Sequence, residues 1–364
     1  MHSLTTAFRR LSCIATLALL GLSSATLTAT AGDTYKWTVQ YLIDNSQVIY
    51  GQSQKVWPRR NRGLAISPDG KFLYAGYHHG GNGQGEIRKL AVGISDDFTR
   101  ATVRVLPGPL GKAITTDDKG RVIIANEGDI LIYDENLSQL QLSIQHALCE
   151  GVATQRDGKD LFLYATDRQV GAVRRWVLEE KDNVIIGAKL SAGFAENGEL
   201  FLKAATSLRG VEVDAQGRIW VADIEGNRVF RISKDGKTVD TADVDHPMDI
   251  GFDGGRAFVT RSTDRLIAVF EADSMKLQGN LAVPWEELEL TPTGNNRIGG
   301  LSSIVTVPGK GFFVTNESGQ TANQKSTYGR ADDHADVVDG KLYRDVYGDD
   351  NDPILQALTV PDGK

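Results

Sequence analysis

The stretch RGVEVDAQGRIWVAD, residues 209–223, alternates apolar and polar side chains on both sides of a turn at Gly217. A period of two is typical of a β-strand, and a turn that combines Asp with Gly is typical of a hairpin between two strands. The same wording recurs in residues 62–77, 112–127, 150–167 and 248–261, and in a degenerate copy at 302–317. Such self-similarity decides the fold, because each copy is one supersecondary unit.

The sequence that follows each hairpin predicts further strands, up to four in each repeat unit. A third strand is predicted after most copies and a fourth after several, for example in residues 139–144 and 276–281. Four antiparallel strands per unit make a β-propeller blade. The turn positions 70, 120, 158, 217, 255 and 310 lie 38 to 59 residues apart, close to the spacing of about 40–50 residues between propeller units. The sequence therefore predicts an all-β, six-bladed β-propeller with four-stranded antiparallel blades.

Two features bear on how the ring closes. Residues 35–43 alternate well and precede the first copy, so we expect this N-terminal strand to pair with the last blade and remove an exposed edge. The alternative to six blades is seven. It would need residues 194–203 or 340–347 to belong to an additional degenerate unit.

The N-terminus carries the signs of a secretory signal peptide in residues 1–31. Arg9 and Arg10 precede an apolar run, and the motif ATA at residues 29–31 fits a cleavage site, which predicts a mature start at Gly32. A membrane anchor is the alternative, although the apolar run is shorter than the roughly 20 residues that a spanning helix needs. We therefore expect a secreted or periplasmic protein.

The mature chain, residues 32–364, is predicted to form a single monomeric propeller domain with a long acidic loop near 316–352. The net charge is −7 for the full chain, which argues against nucleic acid as a partner because phosphates attract basic surfaces. Only Cys149 remains after cleavage, so an intramolecular disulfide is excluded, and we expect this thiol to be a small buried hydrophobe.

The segment RGLAISPDGKFLY, residues 62–74, resembles the six-bladed calcium-dependent lactonase superfamily of gluconolactonase, senescence-marker and paraoxonase-type proteins. GRIWVADIEGNRVFRI, residues 217–232, resembles an NHL repeat. The lactonase resemblance implies that the residue before each strand-start Gly supplies a metal ligand in the central tunnel. The equivalent strand-start residues here are Arg62, Lys112, Glu150, Arg209, Met248 and Ser302. Only Glu150 matches the family's ligand pattern, so we expect the usual calcium positions not to be retained, since basic side chains repel a cation.

Four of these residues, Arg62, Lys112, Glu150 and Arg209, are candidate ligand-binding residues. Arg62, Lys112 and Arg209 would form a cationic ring suited to a carboxylate or sulfate group. The alternative is structural: Glu150 lies between Lys112 and Arg209 in blade order, and a Lys-Glu-Arg chain would join neighbouring blades.

A second set of polar residues ends the second strand of the copies, and we expect it at the opposite mouth of the tunnel. Its candidate metal ligands are Asn126, Asp167, Asp223 and Asn316. The alternative is that these side chains cap the following turn by binding its backbone. The acidic runs 330–336 and 348–352 could hold Ca²⁺ loosely or be solvated loops, and neither has the EF-hand register.

The sequence leaves two classes of function open. It contains no G-x-S-x-G elbow, H-E-x-x-H motif, P-loop or dinucleotide fingerprint, and it assigns no catalytic residue; a general-base role for His79 or His246 lacks a partner. One hypothesis is a propeller that binds a small anionic ligand or a partner protein at one mouth of the tunnel. The alternative is a divergent metal-dependent hydrolase of lactonase or esterase type, with Ca²⁺ as the candidate cofactor.

Overall fold

The computed structural model describes residues 34–41, 59–79, 84–93, 98–264, 266–284, 300–317, 335–338, 341–344 and 354–360. The predicted signal peptide lies outside these residues. No helix of the described chain is long and apolar enough to cross a membrane, and one short helix, α1 (Phe98–Ala101), is present there.

Strands dominate the described residues. The first half of the chain contains β1 (Thr34–Tyr41), β2 (Arg59–Ile66), β3 (Phe72–His79), β4 (Gln84–Ala91), β5 (Thr102–Gly108), β6 (Ala113–Thr116), β7 (Val122–Ala125), β8 (Gly128–Tyr133), β9 (Leu140–His146), β10 (Cys149–Asp157), β11 (Asp160–Asp167), β12 (Ala172–Lys181) and β13 (Val184–Leu190). The second half contains β14 (Glu199–Phe201), β15 (Leu208–Val213), β16 (Ile219–Asp223), β17 (Arg228–Ile232), β18 (Val239–Asp243), β19 (Pro247–Asp253), β20 (Arg256–Arg261), β21 (Leu266–Glu271), β22 (Lys276–Ala282), β23 (Gly300–Val307), β24 (Gly311–Glu317), β25 (Ala335–Val338), β26 (Lys341–Arg344) and β27 (Ile354–Val360).

These strands build antiparallel sheets arranged as the blades of a propeller. Five sheets in the described chain have four strands each, in the orders β2-β3-β4-β5, β6-β7-β8-β9, β15-β16-β17-β18, β19-β20-β21-β22 and β1-β27-β24-β23. The remaining large sheet runs β10-β11-β12-β13, and β14 also pairs with β12. The predicted β-propeller with four-stranded antiparallel blades is thus confirmed, but the expectation of six four-stranded blades needs a correction: in the described chain five sheets have four strands each, and the sheet that begins with β10 has five.

The fifth strand of that sheet arises because its outer strand is interrupted. β13 pairs with the second half of β12, and β14 pairs with residues 172–174 at the start of β12. Between them, residues 191–198 leave the sheet edge and return to it. The alternative with seven blades is wrong on this point, because residues 199–201 complete the edge of an existing sheet. Residues 341–344, the described part of its other required stretch, belong to the two-stranded ribbon β25-β26.

The innermost strands form a closed circle. β2, β6, β10, β15, β19 and β23 each contact the next, and β23 contacts β2. The N-terminal strand β1 joins the last sheet, as the sequence predicts, but its direct partner is β27 and not the strand of the repeat. β27 carries no recognisable copy of the repeat and was not predicted.

The apolar side chains of each hairpin pack between neighbouring sheets. For example, Ile123 and Ile130 of one sheet share a core cluster with Leu163 and Trp176 of the next. Gly217 and the other aligned turn glycines have positive φ, 79° at Gly217, a conformation that glycine adopts without a steric penalty. The side chains that point to the two faces of each sheet are therefore buried against the neighbouring sheets. The starts of the inner strands meet at one mouth of the ring.

Candidate functional site

The strand-start residues gather around one pocket. It is lined by Arg62, Lys112, Ala113, Glu150, Arg209, Gly210, Met248, Asp249 and Ser302, and we call it the mouth pocket. All six aligned strand-start positions contribute to it, including those from the two least regular copies. The alignment of the repeat copies thus identified residues that lie close together in the structure. Five of them are on inner strands, and Lys112 directly precedes β6.

A repeated irregularity of the inner strands aims these side chains. The register of β10 with β11 shifts between Cys149 and Val152, and that of β15 with β16 shifts between Leu208 and Val211. β2, β19 and β23 show corresponding shifts at their own strand starts. A β-bulge bends a strand and turns a side chain in a new direction. The bulges therefore direct the strand-start side chains towards the axis of the ring.

Close approach of the inner strands explains the glycine after two of these positions. A Cβ at Gly151 would collide with the carbonyl oxygen of Arg209, and a Cβ at Gly210 would collide with the Asp249 side chain. Both obstructing groups belong to the next sheet, so a larger residue would push the sheets apart. The pairs Glu150-Gly151 and Arg209-Gly210 are thus fixed by packing as well as by charge.

Glu150 is the buried centre of the charged side of the mouth pocket. Its carboxylate accepts hydrogen bonds from Arg209 Nη1 at 2.8 Å and from Lys112 Nζ at 3.3 Å, and Arg62 Nη1 lies 3.8 Å from Glu150 Oε2. Burial raises the pKa of Glu150, but the charges of Arg209, Arg62 and Lys112 outweigh burial and hold that pKa below its usual value. The carboxylate is therefore ionised at neutral pH.

We call Arg62, Lys112 and Arg209 the cationic arc. They come from three different sheets and share one carboxylate, that of Glu150. The sequence did not indicate a fourth cation, Arg168, whose Nη1 lies 3.7 Å from Glu150 Oε1. Arg168 directly follows β11, outside the aligned positions, so the repeat contained no signal for it.

The other side of the mouth pocket differs in chemistry. Met248, Asp249 and Ser302 line it, and Asp249 stands where most other copies have Gly. The Asp249 carboxylate accepts hydrogen bonds from Ile250 N at 3.0 Å, Ile304 N at 3.1 Å and Ser303 Oγ at 2.5 Å. Burial raises the pKa of Asp249 to about 6, although these hydrogen bonds oppose the shift, so the group is mainly ionised at neutral pH.

The second set of polar residues lies at the same mouth as the strand-start residues, not at the opposite one. Asp167 pairs with Cys149, and Asp223 pairs with Leu208, each one or two positions from a strand-start residue. In an antiparallel hairpin the end of the second strand lies beside the start of the first. The predicted placement was wrong because it overlooked this pairing.

The described members of that set support the turn. Asp223 accepts hydrogen bonds from Ser207 N and Thr206 Oγ1, and its other oxygen pairs with Arg228. Asp167 accepts from Gln169 N and pairs with Arg174. Asn126 binds Leu110 N and Asp129. Asn316 pairs with Leu301 in the last sheet, and its side chain lies outside the description.

Metal ligands do not cluster in the described chain, where no group of three or more His, Cys, Asp or Glu side chains could hold an ion. The acidic run 348–352 and most of 330–336 fall outside the described residues. The backbone and arginine partners of Asp167 and Asp223 occupy the oxygens that a Ca²⁺ site would need.

His246 gains a partner that the sequence did not reveal. Its Nδ1 lies 2.7 Å from Asp245 Oδ1, and the residue has a φ of 41°. Asp245 also accepts hydrogen bonds from Arg261 and Thr263. The hydrogen bond to His246 lowers the pKa of Asp245. This cluster stabilises the loop directly before β19, and β19 carries Met248, which lines the mouth pocket.

Size limits what the mouth pocket can enclose. Its cavity volume is about 20 Å³. That volume exceeds the roughly 10–15 Å³ that one water requires, and it is far below the several hundred Å³ of a typical drug-sized site. The pocket therefore encloses a small head group, and the remainder of a larger ligand would lie in the open mouth.

No family model matches the sequence, and no curated protein matches it. Solved structures are similar in fold. The WD40 repeats of RRP9 are 12% identical with a TM-score of 0.50, covering 78% of this chain and 79% of that one. A catalytically inactive virginiamycin B lyase from Staphylococcus aureus is 11% identical with a TM-score of 0.48, covering 90% and 100%. A chain of a nidogen/laminin complex is 12% identical with a TM-score of 0.49, covering 67% and 84%. At these identities a structural likeness shows the fold alone, and the likeness to the RRP9 repeats supports the β-propeller.

Proposed function

We propose that this protein is a ligand-binding propeller whose mouth pocket takes an anionic group of a small molecule. The observation that supports this proposal is the convergence of the cationic arc on a single carboxylate, Glu150. The three basic side chains come together at a partly enclosed site, where electrostatic attraction exceeds that in bulk water. Arginine and lysine are the side chains best suited to carboxylate, sulfate and phosphate groups.

The structural alternative uses the same contacts. Glu150 joins β6 and β15 through Lys112 and Arg209, and this tie stabilises the ring whether or not a ligand binds. The two roles are compatible, because a carboxylate that fixes the cations in advance lowers the cost of ordering them around a ligand. Arg62 has the longest distance to Glu150 in the arc, 3.8 Å, so its replacement disturbs the tie between β6 and β15 least and is the variant of choice for a binding test.

The test is calorimetric titration of the full chain with acetate and with sulfate at low ionic strength. We expect wild type to bind at least one of them, and Arg62→Met to bind it about ten- to hundredfold more weakly, since a hydrogen bond to a charged group contributes about 1.5–3 kcal/mol. Arg218→Met is the matched control: Arg218 pairs with Asp214 beside the turn at the far end of its hairpin. If wild type binds neither anion, or if Arg62→Met lowers only the melting temperature, the arc is a structural tie alone.

Export and ancestry are further parts of the proposal. The basic pair Arg9-Arg10, the apolar run and the motif at 29–31 support export to the periplasm or the medium. N-terminal sequencing of the secreted protein should begin at Gly32, and an uncleaved chain in the membrane fraction would contradict this. Kinship with the lactonase and NHL-repeat propellers rests on the repeat wording, and the cationic arc argues against inheriting their metal-dependent hydrolysis.

A further inference from the structure

The mouth pocket has two unlike sides that face a common space. The cationic arc and Glu150 come from the inner strands β10 and β15 and from the chain at the starts of β2 and β6. Opposite them in the order of the ring, β19 contributes Met248 and Asp249, and β23 contributes Ser302. A single anion would use only the first side, so the second side needs an explanation of its own.

Asp249 is the charged group of that second side. Its three hydrogen-bond donors, Ile250 N, Ile304 N and Ser303 Oγ, are all neutral. Within the described residues no cationic side chain forms an ion pair with it. A partly buried carboxylate without a counter-charge is destabilised by the loss of solvent, and a cation placed beside it would be stabilised. The mouth pocket thus presents positive charge on one side and an uncompensated negative charge on the other.

We propose that the ligand is a small ammonium carboxylate, an amino acid in the broad sense, with its carboxylate on the cationic arc and its ammonium directed to Asp249. This inference rests on the proposed anion-binding function and narrows it to a class of ligand. The cavity of about 20 Å³ encloses one small charged group, so the linker and the second charged group would lie in the open mouth, between the cationic arc and Asp249.

Glu212 is a second carboxyl group close to Asp249, but Asp249 lines the mouth pocket and Glu212 does not. It lies two residues beyond Gly210 on β15, and Val213 N donates a hydrogen bond to its Oε1. Burial, together with the nearby negative charge of Asp249, raises the pKa of Glu212 to about 8, so it is mainly protonated at neutral pH. The negative charge available to a ligand on this side is therefore that of Asp249.

The experiment is a calorimetric titration of the full chain, near pH 7, with acetate, methylammonium, glycine, β-alanine and γ-aminobutyrate. These amino acids share the same charged groups at increasing separation. We expect at least one of them to bind about tenfold or more tightly than acetate, because only they engage both sides. In Asp249→Asn the ratio of amino-acid to acetate affinity should fall to about one. Asp253→Asn, on the same strand but bonded to Gly309 N at its far end, is the control and should keep the wild-type ratio.

The outcomes separate this inference from the proposed function. If acetate binds at the arc and every amino acid binds no more tightly, the ammonium subsite is wrong while anion binding stands. If neither acetate nor any amino acid binds, the proposed function fails and the inference fails with it. If Asp249→Asn keeps the full preference for the amino acid, the ammonium lies elsewhere and the inference is overturned. If Asp249→Asn does not fold, the comparison of acetate with the three amino acids in wild type still tests the inference.

Discussion

Glu150 holds several basic side chains together, and removing its charge should be costly. In Glu150→Gln the cations Arg62, Lys112 and Arg209 would face each other without the carboxylate that now holds them. Breaking a buried ion pair by removing one partner costs about 3–5 kcal/mol. Since the three side chains keep some contact with solvent, we expect a loss of about 2–3 kcal/mol in the free energy of unfolding at neutral pH, measured by urea denaturation.

The pH dependence of that loss follows from the sign of the pKa shift. The folded-state pKa of Glu150 lies below its ordinary value of 4.5, so its contribution is fully present above that value and is lost as the pH falls through the folded-state pKa. The gap between wild type and Glu150→Gln should therefore narrow on acidification. Glu179→Gln, which breaks the exposed pair with Lys189, should change stability by less than about 1 kcal/mol. Equal losses in both variants would contradict a central role for Glu150.

Individual residues show where sequence reasoning succeeded and where it could not. The strand-start residues were found because each occupies a fixed place before a small residue and a turn, so alignment by the hairpin is alignment in space. Asp249 escaped attention because it replaces the small residue itself, and its lack of a counter-charge depends on neighbours from β23 that no local pattern links to it. Arg168 was missed because it belongs to a turn outside the repeated wording.

At the level of the element, the excursion that interrupts the outer strand of the sheet beginning with β10 packs against its own sheet and the next one. We call this excursion the brace and expect it to stabilise the fold. Phe194, in the excursion between β13 and β14, is fully buried and packs edge-on against Tyr164, with ring centroids 6.3 Å apart. Arg175 lies 4.9 Å from its ring, and Ala195 N donates to Asp235 O of the next sheet. Phe194→Ala should therefore cost about 3–5 kcal/mol of unfolding free energy.

Phe201 offers a matched control for this brace, because it is the same residue type on the adjoining strand β14 but is 55% exposed. Phe201→Ala should change stability by no more than about 0.5 kcal/mol. Urea unfolding of both variants beside wild type makes the comparison. Similar small losses would mean that the excursion merely covers the surface.

The same element shows a limit of the repeat argument. Residues 194–203 suggested part of another unit because they contain apolar residues at strand-like spacing, yet their register with β12 makes them the continuation of an existing edge. Pairing partners of a short strand are set by its neighbours in space, and a three-residue strand such as β14 carries too little pattern to specify them.

For the whole molecule, the repeat predicted the propeller because its period, turn chemistry and burial all indicate one architecture. Closure was predicted only in outline. β1 reaches the last sheet through β27, which lies far along the chain from β24, and a non-local pairing of this kind leaves no trace in local periodicity. The mouth at which the second polar set lies was predicted wrongly, although antiparallel pairing alone would have decided it.

The behaviour of the whole ring towards Ca²⁺ provides the last prediction. Three of the six strand-start positions around the mouth pocket carry the basic side chains of the cationic arc, which disfavour Ca²⁺, whose site needs about six to eight oxygen ligands. We therefore expect thermal melting of the mature protein to be the same in EDTA and in excess Ca²⁺, with NaCl matching the ionic strength. A site filled at a hundred times its dissociation constant would add about 2.7 kcal/mol, a shift of several degrees that melting readily detects.

A stabilising shift with Ca²⁺ would contradict this prediction, and Arg62→Met would then locate its source. A metal held at the mouth pocket should bind more tightly once a neighbouring positive charge is removed, which would revive the metal-dependent hydrolase as the better explanation. A metal whose affinity is the same in wild type and in this variant would lie beyond the reach of the Arg62 charge, because charges more than about 10 Å apart across solvent are largely screened. The same titration thus separates calcium at the mouth pocket from calcium elsewhere, and only the first outcome would displace anion binding as the function of the arc.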